Sequence, residues 1–198
     1  MKRSIEEIIV LYDKSNQGKT NTLRALIEEL VGSLPNEKGD IRVVIPNYRV
    51  KKQRKQVNIF VTTCGDAPFI IEDNIRFFNG KMPDTLSVPM FIFENGRWNH
   101  IDSEEQLAAY DASICISACR SDGVGVDSIQ YFIHAHLSYT FVSMWIRLSH
   151  LRKRLNITIT KKKEPDWRRL ARDLKKWLMK NSQEDLFYQL TNITNFKI

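Results

Sequence analysis

Residues 7–31 read EIIVLYDKSNQGKTNTLRALIEELV. An apolar run at 8–11 leads into a polar loop that ends in Gly18-Lys19-Thr20, and a helical pattern begins at once. Leu23, Leu26, Ile27 and Leu30 then recur at the spacing of one helix face. The reading is a strand over 7–12, a loop, and a helix over 19–32. Backbone N–H groups at a helix N-terminus converge on an anion, and the helix dipole favours negative charge there. A lysine in the first helical turn reaches such an anion, and the next hydroxyl offers oxygen to a cation. The motif for this chemistry is G-x-x-x-x-G-K-[ST], and here its eight positions run from Asp13 to Thr20. Asp13 stands where the first glycine would be. Its carboxylate would repel phosphates unless it points away or pairs with Lys14.

Outward from this unit, strands and helices alternate. The β-branched runs at 41–45 and 57–61 flank the basic connection NYRVKKQRKQ and predict an antiparallel pair with a basic tip. A helix follows over 70–78, with Ile71, Ile75 and Phe78 on one face. Residues 79–110 read as an insertion. Strands at 89–94 and 98–101 enclose Asn95-Gly96, a two-residue hairpin turn. Ser103 then caps a short helix, and Gln106 completes a capping box. The run at 113–118 suits a parallel strand. After the loop SDGVGVDS, Asp127 or Ser128 caps a helix to about 136, and a further helix runs to about 155. A late strand at 157–160 precedes an amphipathic helix over 166–180. In it Trp167, Leu170, Ala171, Leu174, Trp177 and Leu178 share one face, and the opposite face is basic. A last short helix lies at 184–190. The alternation predicts a three-layer α/β domain spanning 1–198, with a basic helical segment at 161–198.

The chain has 198 residues, 42% hydrophobic and 27% charged, which suits one domain with a core of ordinary size. The stretch nearest to a membrane span, 132–148, is interrupted by His134, His136, Ser138, Ser143 and Arg147. The N-terminus MKRSIEEIIV lacks the apolar region of a secretory signal. Cys64, Cys115 and Cys119 are odd in number and lie at apolar runs, so they read as free thiols in a reducing cytoplasm. Cys115 and Cys119 have no histidine pair nearby and do not make a zinc site. His134 and His136 are two apart and share no helix face. Tyr131, Phe132, Tyr139, Phe141 and Trp145 read as core or a partner interface. The net charge of +7 gathers at 51–55, 152–154, 161–163 and 168–176. Such clusters suit nucleic acid or an acidic partner, and equally the solvated faces of helices and hairpins.

Two further residues invite chemistry. Nucleotide sites place a second carboxylate at the carboxyl end of a strand near the phosphate loop. Asp66, after VNIFVTTCG, fits that place, its other reading being a turn residue. Arg120 closes ASICISAC, at a strand end where a ligand is contacted in open α/β sheets, its other reading being a surface arginine after a strand.

The strand–loop–Gly-Lys-Thr–helix unit of 7–31 resembles the P-loop NTPase superfamily, in the style of small bacterial and phage ATP-binding proteins. Weaker similarity runs through 41–66 and 111–128. The resemblance implies a P-loop NTPase-like sheet carrying a β-hairpin insertion and a helical C-terminus. It implies that Ser15, Asn16, Gln17, Gly18, Lys19, Thr20 and Arg120 bind the nucleotide. Thr20 and Asp66 would hold Mg²⁺, and Lys19 and Asp66 would serve catalysis. No N-K-x-D guanine-recognition motif occurs, which favours ATP over GTP. The expected function is Mg²⁺-dependent hydrolysis of a nucleoside triphosphate; phosphotransfer to a small acceptor would use the same parts. The alternative is a non-hydrolysing nucleotide switch, or a subunit that binds nucleic acid or protein through its basic surfaces. No membrane association is expected.

Overall fold

The structure is a computed structural model that describes residues 5–50, 55–65, 67–85, 87–121, 126–127, 129, 142–150 and 167–179. Among them, seven strands form one mixed sheet in the order β5-β4-β2-β3-β6-β1-β7. The strands are β1 (Glu7–Asp13), β2 (Arg42–Val50), β3 (Lys55–Thr62), β4 (Met90–Glu94), β5 (Arg97–His100), β6 (Ile114–Arg120) and β7 (Val142–Arg147). The helices are α1 (Lys19–Val31), α2 (Pro68–Phe78), α3 (Glu104–Ala108) and α4 (Trp167–Met179).

β1 runs through the parallel part of the sheet, flanked by β6 and β7. Every residue from Ile8 to Asp13 is buried, because both faces of the strand are covered. On one face Ile9 and Leu11 pack with Leu23, Leu26 and Ile27 of α1 and with Leu170, Ala171 and Leu174 of α4. On the other, Ile8 and Val10 pack with Ile71 and Phe77 of α2 and Leu107 of α3. The α/β class and the sheet-with-helices-on-both-faces layering read from the sequence are present.

Local chemistry sets the element ends. Gly32 takes φ 83° and returns its N–H to Glu28 O at 2.7 Å, ending α1 in the left-handed turn that favours glycine. Pro68 sits in the first turn of α2, where its missing N–H costs nothing. Ser103 Oγ accepts the Gln106 N–H at 3.3 Å, while the Gln106 side chain reaches Asp102 N at 2.9 Å, one residue beyond the expected capping box. Asn95 and Gly96 both take positive φ, 51° and 76°, the twist a two-residue hairpin needs.

The β-hairpin read within the 79–110 insertion is present, and it extends the sheet, because β4 pairs with β2 in parallel. Trp98 Nε1 also donates to Ser33 Oγ at 3.0 Å, tying β5 to the loop after α1. Residues 142–147, read as helix, form β7, in register from Glu7↔Val142 to Tyr12↔Arg147. A short apolar run has no unique period, and the open flank of β1 must satisfy its N–H and C=O groups. The basic tip, the strand at 157–160, the helix at 184–190, and Tyr131, Phe132, His134, His136, Tyr139 and Phe141 lie outside the described residues, as does Asp66.

β1, β3, β6 and β7 run in one direction, and β2 runs against β3. β4 runs with β2 and β5 against β4, so one edge of the sheet gathers the carboxyl ends of five strands and the amino ends of β2 and β4. No helix among the described residues is long and apolar enough to cross a membrane.

Candidate functional site

At that edge the chain leaves β1, turns through 14–18 and enters α1. Asn16 and Gly18 take positive φ, 59° and 79°, with Gln17 between them. Such alternation turns successive backbone N–H groups toward a common concavity, an arrangement suited to anions. Gly18 is the N-cap of α1, and its carbonyl accepts both the N–H and the hydroxyl of Thr22, each at 2.9 Å. The N–H groups of the first turn have no intrahelical acceptor and face the loop.

Lys19 is only 6% exposed. Its ammonium donates to Asp13 O at 3.2 Å and Lys14 O at 2.9 Å, so the side chain folds back over the loop that precedes it. A cleft of about 260 Å³ opens beside it, lined by Asn16, Gly18, Lys19, Thr20, Asn21, Thr63 and Ala118. Of the residues expected from sequence, Asn16, Gly18, Lys19 and Thr20 line this cleft. Ser15 and Gln17 belong to the loop but not to the lining. Arg120 ends β6 opposite Asp13, and its N–H donates to Gly65 O at 3.2 Å; its side chain is not part of the lining either.

The Asp13 carboxylate faces elsewhere. Oδ1 accepts Lys14 N at 2.9 Å, and Oδ2 accepts Ser149 N at 2.6 Å, at the helical residues that follow β7. Arg147 Nε lies 4.0 Å from Oδ1. Burial alone would push the acid up, but the Ser149 and Lys14 N–H groups and the Arg147 charge outweigh it and hold Asp13 below the usual range. It is a structural anion that fastens the start of the loop to β7.

Thr20 Oγ1 stands 3.1 Å from Asp40 Oδ1 and 3.0 Å from Thr63 O. Thr63 Oγ1 accepts Ile41 N at 2.9 Å and lies 3.1 Å from the same Asp40 oxygen. Sequence reasoning missed Asp40. The signal was the antiparallel β2–β3 pairing, which carries the residues just before β2 to the carboxyl end of β3. Gly65 was missed as well. A Cβ there would meet Ala118 O at 1.9 Å, so only glycine lets the segment after β3 lie against the cleft-lining end of β6.

Behind the cleft a buried polar network joins β2, α2 and the end of β3. Arg42 Nε donates to Asn74 Oδ1 at 3.0 Å and Nη1 to Val88 O at 3.2 Å, with Nη2 3.6 Å from Asp73 Oδ2. Asn74 Nδ2 donates to Cys64 O at 2.9 Å. Burial pushes the Cys64 thiol up to about 12 and raises Cys115 as well, so both stay neutral and are poor nucleophiles.

The donors at the cleft are hard oxygens. Among the described residues no three His, Cys, Asp or Glu side chains converge as a metal cage. The Thr20 hydroxyl, beside the Asp40 carboxylate, is an oxygen donor of the kind that could serve a cation such as Mg²⁺, which keeps most of its waters and takes only one or two protein oxygens. No family model matches the sequence, and neither a curated protein nor a solved structure matches it.

Proposed function

We propose that the chain binds ATP with Mg²⁺ in the Lys19–Thr20 cleft and hydrolyses the γ-phosphate. The observation that carries this reading is the buried Lys19 ammonium resting on the carbonyls of Asp13 and Lys14, at the mouth of a loop whose positive φ angles fall at Asn16 and Gly18. A lysine held on carbonyls can be drawn off by a more strongly charged acceptor, and a triphosphate is one. The amides of the first turn of α1 would take the phosphate oxygens and fix their position. Lys19 would offset the charge that gathers on the β/γ-phosphates during transfer. Thr20 would hold the metal, which when bound would polarise the phosphate and neutralise charge on the leaving group. These are the parts that the P-loop resemblance implies, carried on a mixed α/β sheet.

A second reading concerns what regulates this site. α4 packs on α1, with Arg168 Nη2 3.6 Å from Glu28 Oε2, while Arg169, Arg172 and Lys176 are exposed on its outer side. That basic side would suit phosphates of a nucleic acid, placing such a partner on the helix that supports α1.

The test is phosphate release by the purified chain with and without DNA or RNA, for wild type and Lys19→Ala. Mg²⁺-dependent release that disappears in the variant supports hydrolysis. Nucleotide binding without release, in every condition, replaces it with a switch. Salt-sensitive nucleic-acid binding that neither stimulates release nor depends on Lys19 removes the coupling.

A further inference from the structure

Thr20 has one hydroxyl proton and two acceptors in reach, Asp40 Oδ1 at 3.1 Å and Thr63 O at 3.0 Å. A hydroxyl that gives oxygen to a cation uses a lone pair, so its proton must go to another group. Thr20 and Thr63 both line the cleft, whereas Asp40 is not part of the lining. A Thr20 hydroxyl that donates to either acceptor keeps its oxygen lone pairs for a cation. Of the two, Asp40 brings charge. Its Oδ1 gathers the hydroxyls of Thr20 and Thr63, and its Oδ2 makes no hydrogen bond among the described residues.

The carboxylate is also held in place. Arg24 of α1 donates through Nη1 to Gly39 O at 2.7 Å and through Nη2 to Glu37 O. Glu37 Oε1 accepts Lys38 N at 2.8 Å and Gly39 N at 3.2 Å. The 37–40 turn is thus fastened to the helix that presents Thr20. Thr63, which fastens Asp40 from the other side, is buried against the amino end of β2 through Ile41 N at 2.9 Å.

We propose that Asp40 is the metal-orienting carboxylate of this site. It accepts the hydrogen bond of the Thr20 hydroxyl, turns an oxygen lone pair of Thr20 toward the cleft, and offsets the charge of a divalent cation that arrives with a triphosphate. Asp40 is a positioning residue here, acting through Thr20 in the way outer carboxylates tune metal ligands. The carboxylate comes from the amino end of a reversed strand, not from the carboxyl end of a parallel one where Asp66 was expected. This inference rests on the triphosphate reading of the cleft.

The experiment measures ATP affinity of the full chain by calorimetry, in EDTA and in Mg²⁺, for wild type, Asp40→Ala, Asp40→Asn and Lys19→Ala. Circular dichroism monitors folding of each. Wild type gains affinity from Mg²⁺. Asp40→Ala retains wild-type affinity in EDTA and loses about 10- to 100-fold of the affinity for Mg²⁺-ATP. Asp40→Asn keeps an acceptor oxygen without the charge and retains part of the Mg²⁺ gain, and it carries the test should the alanine variant not fold. Lys19→Ala loses affinity in both conditions. An undiminished Mg²⁺ gain in both Asp40 variants overturns the inference and leaves ATP binding standing. Equal losses in EDTA and Mg²⁺ overturn it too, as the mark of a merely structural carboxylate. Wild type that binds ATP in neither condition overturns the triphosphate reading itself, and the inference with it.

Discussion

Ser149 gives its backbone N–H to Asp13 Oδ2 at 2.6 Å, across the junction between the first strand of the fold and the segment that follows its neighbour β7. That bond, with Lys14 N on Oδ1, occupies both oxygens of the carboxylate at which the loop begins. The charge is spent on fastening and not on the cleft. Asp13→Asn is expected to lower stability at pH 7 by about 1–3 kcal/mol, the worth of a charge-assisted buried acceptor. Because the folded-state pKa lies below the ordinary 3.8, the contribution is full above that value and fades as pH falls through the folded value. Urea unfolding at several pH values checks this: the gap between wild type and variant should close on acidification.

Glu7, at the amino end of β1, titrates in the opposite sense. Burial, and secondarily the neighbouring Glu6 charge, raise its pKa from 4.5 to about 7. The folded state therefore holds a proton that the unfolded chain releases. Stability from this group is present below pH 4.5 and is lost as pH rises through about 7. Glu7→Gln should equal wild type near pH 4 and exceed it at pH 8 by about 3 kcal/mol at most. A parallel pair of melting curves against pH reads the difference.

How much of this was legible in the chain depends on the range of the interaction. α1 and its glycine-bounded ends follow from contacts within a turn or two, and so do the Asn95-Gly96 hairpin and the Ser103 cap. β7 was not legible, since Val142 to Arg147 satisfies a helix and a strand almost equally and only the open flank of β1 decides between them. Asp40 needed two pieces of information together. The antiparallel β2–β3 pair was readable, but β3 lying next to β6, and β6 next to β1, is a long-range pairing that no local pattern encodes. The placement of Lys19 and Thr20 beside one cleft was anticipated because loop and helix are contiguous in sequence.

Gly65 lies against the backbone of Ala118, a residue of the cleft lining. Gly65→Ala forces a methyl carbon to within 1.9 Å of Ala118 O, and neither atom belongs to a flexible side chain. The expected cost is about 3 kcal/mol or more, since the strands must part to relieve it. A lowered urea midpoint with unchanged slope is the predicted signature.

Arg42 is fully buried, and Asp73 opposite it accepts Asp84 N at 2.9 Å and Thr85 N at 3.2 Å as well as the Thr85 hydroxyl. Arg42→Met leaves that carboxylate without its cation and should cost about 3–5 kcal/mol. Combining it with Asp73→Asn removes the uncompensated charge, so the double variant should recover part of the loss. Chemical denaturation of the two single variants and the double variant measures the coupling.

The central claim is that Lys19 and the amides around it grip a polyphosphate. Calorimetric titration of the chain with ATP in Mg²⁺, for wild type and Lys19→Ala, tests it most directly. Saturable one-site binding is predicted, weakened about 10- to 100-fold in the variant by loss of one charge-assisted contact. Absence of binding to the wild-type chain, or an affinity that the substitution leaves unchanged, would contradict it.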